Sequence, residues 1–310
     1  MQREFTIMEN NELSGVVIVD KHEGVTSHDI VFKMRKLFGT KKVGHTGTLD
    51  PMATGVLPIL IGRAAKASEY LSAEDKCYIA EITLGITTDT EDISGKILSK
   101  CDTLPTKAEF FSACERFVGD ISQIPPMYSA LKVNGKKLVD LAREGIEVER
   151  QARQIHISSI VPEAIDEARG VYKITVECSK GTYIRTLCAD IGAYLGCGAT
   201  MSALRRTKSG NFTIDNSHTL EQIATLSESE RADLLIPTEA LFEDCDSVVL
   251  SDFYSRLCHS GCEIYQSKIG ANFPVGTRIR ICDKNGFFAL GEVREFEDGT
   301  AIKPIKLFVL

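Results

Sequence analysis

The chain has 310 residues, of which 43% are hydrophobic and 25% charged, and its net charge is −7. That length allows one large domain with a smaller second one, and the composition is that of an ordinary soluble globular protein. The longest apolar run, Val56 to Ile61, is broken by Pro58 and far too short to cross a bilayer. Met1 to Glu12 is acidic and polar, unlike a secretory leader, so the chain reads as cytoplasmic and not membrane-bound.

In chain order, Gly15 to Val19 reads as a buried strand. An amphipathic helix follows from Ser27, with Ile30, Val31, Met34, Leu37 and Phe38 on one face and Gly39 as its stop. Met52 to Ile61 reads as strand or turn buried on both sides, and Tyr78, Ala80, Ile82 and Leu84 alternate as one face of a strand. Thr106 and Glu109 form a capping box for a helix that buries Phe110, Phe111, Cys114 and Phe117. Gln154 to Val161 and Val171 to Cys178 fit strands. A helix from Tyr183 turns Ile184, Leu187, Cys188, Ile191 and Leu195 inward, and Thr219 with Gln222 opens another. Composition shifts near Glu243 to Asp246; a short helix over Ser251 to Cys258 then precedes hairpin signals at Asn285-Gly286 and Asp298-Gly299. These elements do not alternate as βαβ units, so the fold class is α+β: a mixed sheet with flanking helices over residues 1–245, and a small mostly-β domain over 246–310.

Ten cysteines in a chain of this length read as reduced, buried small apolar groups. Cys258, His259 and Cys262 fit no familiar zinc spacing; Cys258 and Cys262 read as one apolar helix face, and no metal is expected. Neither a GK[ST] phosphate loop, an HExxH helix nor a GxSxG elbow occurs, which removes the usual marks of nucleotide hydrolysis, zinc proteolysis and esterase chemistry.

A negative net charge argues against a nucleic-acid binder, yet the cations are clustered. Lys41 and Lys42, Arg63 and Lys66, Lys132 with Lys136 and Lys137, and Arg205, Arg206 and Lys208 stand together, whereas acids concentrate at Glu163 to Glu167, Glu228 to Glu230 and Glu243 to Asp246. Binding depends on the field at one face, so these clusters outweigh the total. The basic pairs flank residues 44–58, GHTGTLDPMATGVLP, which place one carboxylate, Asp50, on a glycine-punctuated turn where another molecule can approach closely.

Gly44 to Leu71 closely resembles the signature of the TruB family, bacterial synthases that convert uridine in the T-loop of tRNA to pseudouridine. The resemblance continues, in order and at compatible spacing, through Lys76 to Gly95, Gln123 to Arg150, Gly181 to Leu187 and Leu204 to Gly210. It implies that the C-terminal unit is a PUA-type RNA-binding domain. It also implies that Asp50 is the catalytic carboxylate, acting at carbon 6 of uracil, at the sugar, or by removing a sugar proton. Arg185 matches the arginine that keeps this acid ionised, and Asp92 matches an acid that contacts the arginine, with Asp89 close by in the same segment as the alternative. Tyr78 matches the tyrosine that stacks on the target base, its hydroxyl lying where a proton leaves carbon 5. Leu204, next to Arg205, matches an apolar wall of that pocket. His45 matches the residue that fills the space of the flipped base, and Lys21 and Lys132 match positions on the RNA face. The implied partner is the T-stem-loop of tRNA, bound by a monomer without a cofactor. The competing readings are a synthase acting on another RNA and a non-catalytic RNA-binding or RNA-folding module.

Overall fold

The computed structural model describes residues 13–71 and 75–309; the acidic Met1 to Glu12 stretch lies outside them. The chain begins with β1 (Gly15–Lys21), α1 (Ser27–Leu37), β2 (Val43–His45) and β3 (Thr54–Ile61), then α2 (Ser68–Leu71) and β4 (Lys76–Leu84). A ribbon, β5 (Ile86–Thr88) with β6 (Ile97–Lys100), precedes α3 (Lys107–Glu115) and β7 (Gly119–Gln123). The two-residue strands β8 (Lys132–Val133) and β9 (Lys136–Lys137) form a hairpin ahead of α4 (Leu138–Arg143). The long strands β10 (Arg153–Asp166) and β11 (Val171–Cys178) lead to α5 (Ile184–Tyr194) and β12 (Ala199–Ser209). The first unit closes with β13 (Phe212–Thr213), β14 (His218–Thr219), α6 (Leu220–Thr225) and α7 (Glu228–Asp233). The second contains β15 (Asp246–Val249), α8 (Asp252–His259), β16 (Ile264–Tyr265), α9 (Gln266–Ile269), β17 (Arg278–Asp283), β18 (Gly286–Phe296) and β19 (Gly299–Leu307).

The large sheet runs β14-β1-β3-β12-β4-β11-β10-β7, with β2 on β3 and β13 on β12. Within this sheet, among the described residues, β1–β14 and β3–β12 pair in parallel and the other neighbours are antiparallel, so the fold is α+β with a mixed sheet. Alternation along β1 sorts its side chains to two cores. Val17 and Val19 join α1, α3, α5 and α6 on one face, while Val16 and Ile18 pack with Val56, Leu60, Phe242, Leu290 and Phe308 on the other. The second core therefore fastens the small sheet, ordered β15-β17-β18-β19-β16, onto the back of the large one.

Capping boxes open α1 (Thr26 and Asp29), α3 (Thr106 and Glu109) and α6 (Thr219 and Gln222). Three local expectations change. Phe111 and Phe117 are only partly buried, because α3 lays one narrow stripe on the sheet and keeps Phe110 and Cys114 inside it. Cys262 is exposed, since α8 ends at His259 and leaves it outside the face that buries Cys258. At both C-terminal hairpins only the glycines, Gly286 and Gly299, have positive φ, and each already pairs as the first residue of its strand. The reversals are thus Lys284-Asn285 and Glu297-Asp298, one residue earlier than the Asn-Gly and Asp-Gly signals suggest.

Candidate active site

Asp50 lies on the loop between β2 and β3, and the sequence around it explains why that loop is fixed. Ser27 Oγ accepts from the Leu49 amide at 2.9 Å and donates to its carbonyl at 3.2 Å. The Pro51 carbonyl accepts from the Gly24 amide at 2.9 Å and from Lys21 Nζ at 3.2 Å. The β1–α1 turn therefore holds the loop from beneath, while the Asp50 carboxylate stays 35% exposed.

Arg185, in the first turn of α5, grips that carboxylate in a fork. Its Nε is 2.9 Å from Asp50 Oδ2, and its Nη2 donates to Oδ1 at 3.3 Å. The guanidinium is itself buried, and its remaining hydrogens reach the Thr90 carbonyl at 3.0 Å and the Tyr128 carbonyl at 2.8 Å. Asp92 Oδ2 lies 3.7 Å from Arg185 Nη1, and Asp92 is held by Thr90 and Ser94. Asp89, its neighbour in sequence, turns instead to the Lys96 amide at 2.7 Å. Burial pushes the Asp50 carboxyl above its usual range; Arg185 opposes the rise, Asp92 adds to it and Lys21 opposes it.

Tyr78 comes from near the start of β4, on the face shared with Ala80 and Ile82. Strand register sets Arg206 of β12 directly opposite Tyr78, and Leu204 opposite Ala80. Burial raises the phenol, and Arg206, hydrogen-bonded to it, opposes the rise. Arg206 is fully buried: Nε donates to the Val56 carbonyl at 2.7 Å and Nη2 to the Gly47 carbonyl at 3.1 Å. It thereby braces both ends of the Asp50 loop. Counting Arg206 among the surface cations is therefore wrong. The missed signal is periodicity, because Arg206 lies two residues after the apolar Leu204 on one strand and must share its face.

Lys21 also changes place. As a phosphate or pocket contact on the RNA face it would need exposure, yet it is fully buried, with Nζ bonded to the carbonyls of His22, Val25 and Pro51. Burial lowers its ammonium to about 8, with Asp50 the chief charge opposing the fall. Its role is to anchor the loop under Asp50. His45, paired with Ile59 at the edge of β3, is half-buried with an unpartnered Nδ1; burial and then Arg206 lower its pKa. Arg205 points away from the Leu204 face and pairs with Asp20 at 2.8 Å. Lys132 stands exposed on the β8–β9 hairpin, whose turn residues Asn134 and Gly135 both have positive φ. Lys41 and Lys42 meet Arg63 and Lys66 around one hollow of about 380 Å³.

Gln123 is a second residue that sequence reasoning overlooked. Its side-chain amide accepts from the Tyr183 amide at 2.8 Å and donates to the Tyr183 carbonyl at 3.0 Å. This seats the start of α5, whose N-cap has no side-chain bond of its own, and so aims Arg185. Nothing in local composition marks a glutamine 60 residues upstream as a cap.

Fold and family models together place the chain in the pseudouridine synthase class. Residues 35–184 match the TruB family pseudouridylate synthase N-terminal domain, and residues 185–243 match the tRNA pseudouridylate synthase B C-terminal domain. The chain is 43% identical over 298 residues to tRNA pseudouridine synthase B of Alkaliphilus oremlandii, covering 95% of this chain and 98% of that one. It is 44% identical over 301 residues to the enzyme of the same name from Bacillus pumilus, covering 95% and 97%. Its fold matches a chain in the crystal structure of a Cbf5-Nop10-Gar1 complex with a TM-score of 0.75 at 25% identity, over 100% of this chain and 95% of the other. The chain belongs to the TruB family.

Proposed function

We propose that this protein converts uridine 55 in the T-loop of tRNA to pseudouridine, with Asp50 as the catalytic carboxylate. The observation that carries the reading is the forked Arg185–Asp50 pair, at 2.9 and 3.3 Å, on a loop that leaves the carboxylate open to solvent on one side. The relatives' shared name, tRNA pseudouridine synthase B, supplies the substrate class.

Isomerisation breaks the bond from ribose to base nitrogen, turns the uracil and rejoins it through carbon 5. A carboxylate must be ionised to attack or to remove a proton, and a guanidinium bound to both of its oxygens keeps it so without protonating it. Extruding a stacked uridine costs a few kcal/mol, which contacts to the displaced base and to its vacated site must offset. Tyr78 offers a ring face to the base and Leu204 an apolar wall, while His45, neutral near pH 7 because its pKa is lowered, offers a flat ring to the gap. Burial keeps Tyr78 a phenol at that pH; its oxygen can take the carbon 5 proton only after releasing its own to solvent, and the Arg206 guanidinium favours the phenolate that this leaves.

In this reading the protein is a monomer acting in the cytoplasm, where tRNA is the substrate that the relatives' name supplies. No helix among the described residues is long and apolar enough to span a membrane. Division at 245/246 into a catalytic domain and a PUA-like RNA-binding domain is supported by the start of the second sheet at Asp246. Asp50→Asn is expected to keep tRNA affinity within about twofold and to lower single-turnover release of tritium from carbon 5 by on the order of 10³-fold or more. Wild-type turnover by that variant would falsify the assignment. Mapping pseudouridine in an unmodified transcript then separates position 55 from other sites.

A further inference from the structure

The loop that receives Arg185 contains a strained residue to which the chemistry above gives no task. Glu91, between Thr90 and Asp92, has φ of 63°, a region that non-glycine residues with long side chains rarely occupy. Its backbone is held there from both sides: its amide donates to the Thr88 carbonyl at 3.3 Å, and its carbonyl accepts from the Met201 amide at 3.1 Å. The side chain turns inward, and Oε2 accepts from Thr186 Oγ1 at 2.6 Å. Thr186 is buried and directly follows Arg185 in the first turn of α5, a helix with no acidic residue there and no side-chain N-cap.

We propose that Glu91 is a positioning residue: its bond to Thr186 ties the first turn of α5 to the Thr90–Asp92 loop and so sets the Arg185 guanidinium against Asp50. An anion at the start of a helix meets the unpaired amides of the first turn, which favours this placement over solvent. The charges facing Glu91 are Arg185 on α5, Arg150, and Asp92 on its own loop, with Asp190 one turn further along α5. The close packing of this group has an electrostatic consequence: burial raises Glu91, and burial followed by the charge of Glu91 lifts Asp190 to about 6.

The inference rests on the Asp50–Arg185 reading, and its test separates the two. Tritium release in a single turnover, tRNA affinity and melting temperature are measured for Glu91→Gln, Glu91→Gly, Thr186→Val and the Glu91→Gly/Thr186→Val double variant, with Asp50→Asn alongside. Glu91→Gln keeps an acceptor and is expected within about twofold of wild type, whereas Glu91→Gly and Thr186→Val each slow turnover about tenfold, the effect of one lost buried hydrogen bond. The double variant should be no slower than the slower single one, because both changes remove the same bond. Affinity should not move, and Glu91→Gly should melt closer to wild type than Thr186→Val, because glycine relieves the positive φ whereas valine leaves the Glu91 carboxylate without its donor. Full-rate turnover by Glu91→Gly, losses that multiply in the double variant, a slow Glu91→Gln, or a loss confined to affinity each overturn the proposal. An active Asp50→Asn removes the parent reading instead; an inert Asp50→Asn beside a full-rate Glu91→Gly removes only the role of Glu91.

Discussion

Asp50 is pulled two ways, and the balance sets a measurable limb of the pH profile. Burial drives its pKa above the ordinary 3.8, while Arg185 and, more weakly, Lys21 draw it back. Chemistry that needs the ionised form must gain rate as pH rises through a value above 3.8, so the acid limb of the single-turnover profile is expected above the range of an exposed aspartate. Arg185→Lys replaces a fork with a single strongly hydrated charge and should move that limb higher still. A limb at or below the exposed-carboxylate range in wild type, or one unmoved in the variant, contradicts the pairing. Lys21 teaches the same lesson from the other side. In the sequence it is one more lysine before a turn, yet three carbonyls and a complete lack of exposure make it an internal strut.

At the scale of elements, the site depends on three strands meeting without a gap. Gly55 pairs with Arg206 where β3 runs parallel to β12, and its φ is 102°. A Cβ there would stand 2.1 Å from the Arg206 carbonyl oxygen, so alanine must push β12 away from β3 and with it the residue that braces the Asp50 loop. Gly55→Ala is expected to cost roughly 2–4 kcal/mol, read as a lower urea midpoint with an unchanged slope. Activity at permissive temperature should also fall, because Arg206 moves with its backbone. A variant as stable as wild type would show that the strands can part without consequence. The helices are simpler: Thr106→Ala removes one reciprocal cap and should cost about 1 kcal/mol by the same measurement, with turnover unchanged.

The whole molecule resolves an apparent conflict between its charge and its partner. With a net charge of −7 the chain as a whole repels RNA, but Lys41, Lys42, Arg63 and Lys66 gather in one hollow and Lys132, Lys136 and Lys137 crown a hairpin. Local fields of this kind bind polyanions by releasing counterions, so affinity should fall steeply with salt. Lys132→Ala is expected to weaken tRNA binding several-fold and to reduce the slope of log affinity against log salt by about 0.7–0.9 for one lost phosphate contact. An unchanged slope removes Lys132 from the interface. The small sheet is fastened to the back of the large one through Phe242, Phe287, Leu290 and Phe308. Lys66 Nζ also reaches across to the Leu307 carbonyl at 2.8 Å.

Much of this was legible in the chain alone, for a physical reason. Strand alternation at Tyr78 to Leu84, the capping boxes at Thr106 and Thr219, and the glycine-rich turn at Asp50 are local, because dihedral preference and side-chain period act over a few residues. The motif resemblance points to Asp50, Arg185, Asp92 and Tyr78; the Arg185 guanidinium joins the first three, whereas the partner of Tyr78 is Arg206. Tertiary structure alone decided which cations face water and which are internal. Burial of Lys21 and Arg206, the capping of α5 by Gln123 and the bond from Glu91 to Thr186 all join segments far apart in sequence. Only strand register and helix docking fix such distances, and no window of neighbouring residues contains them.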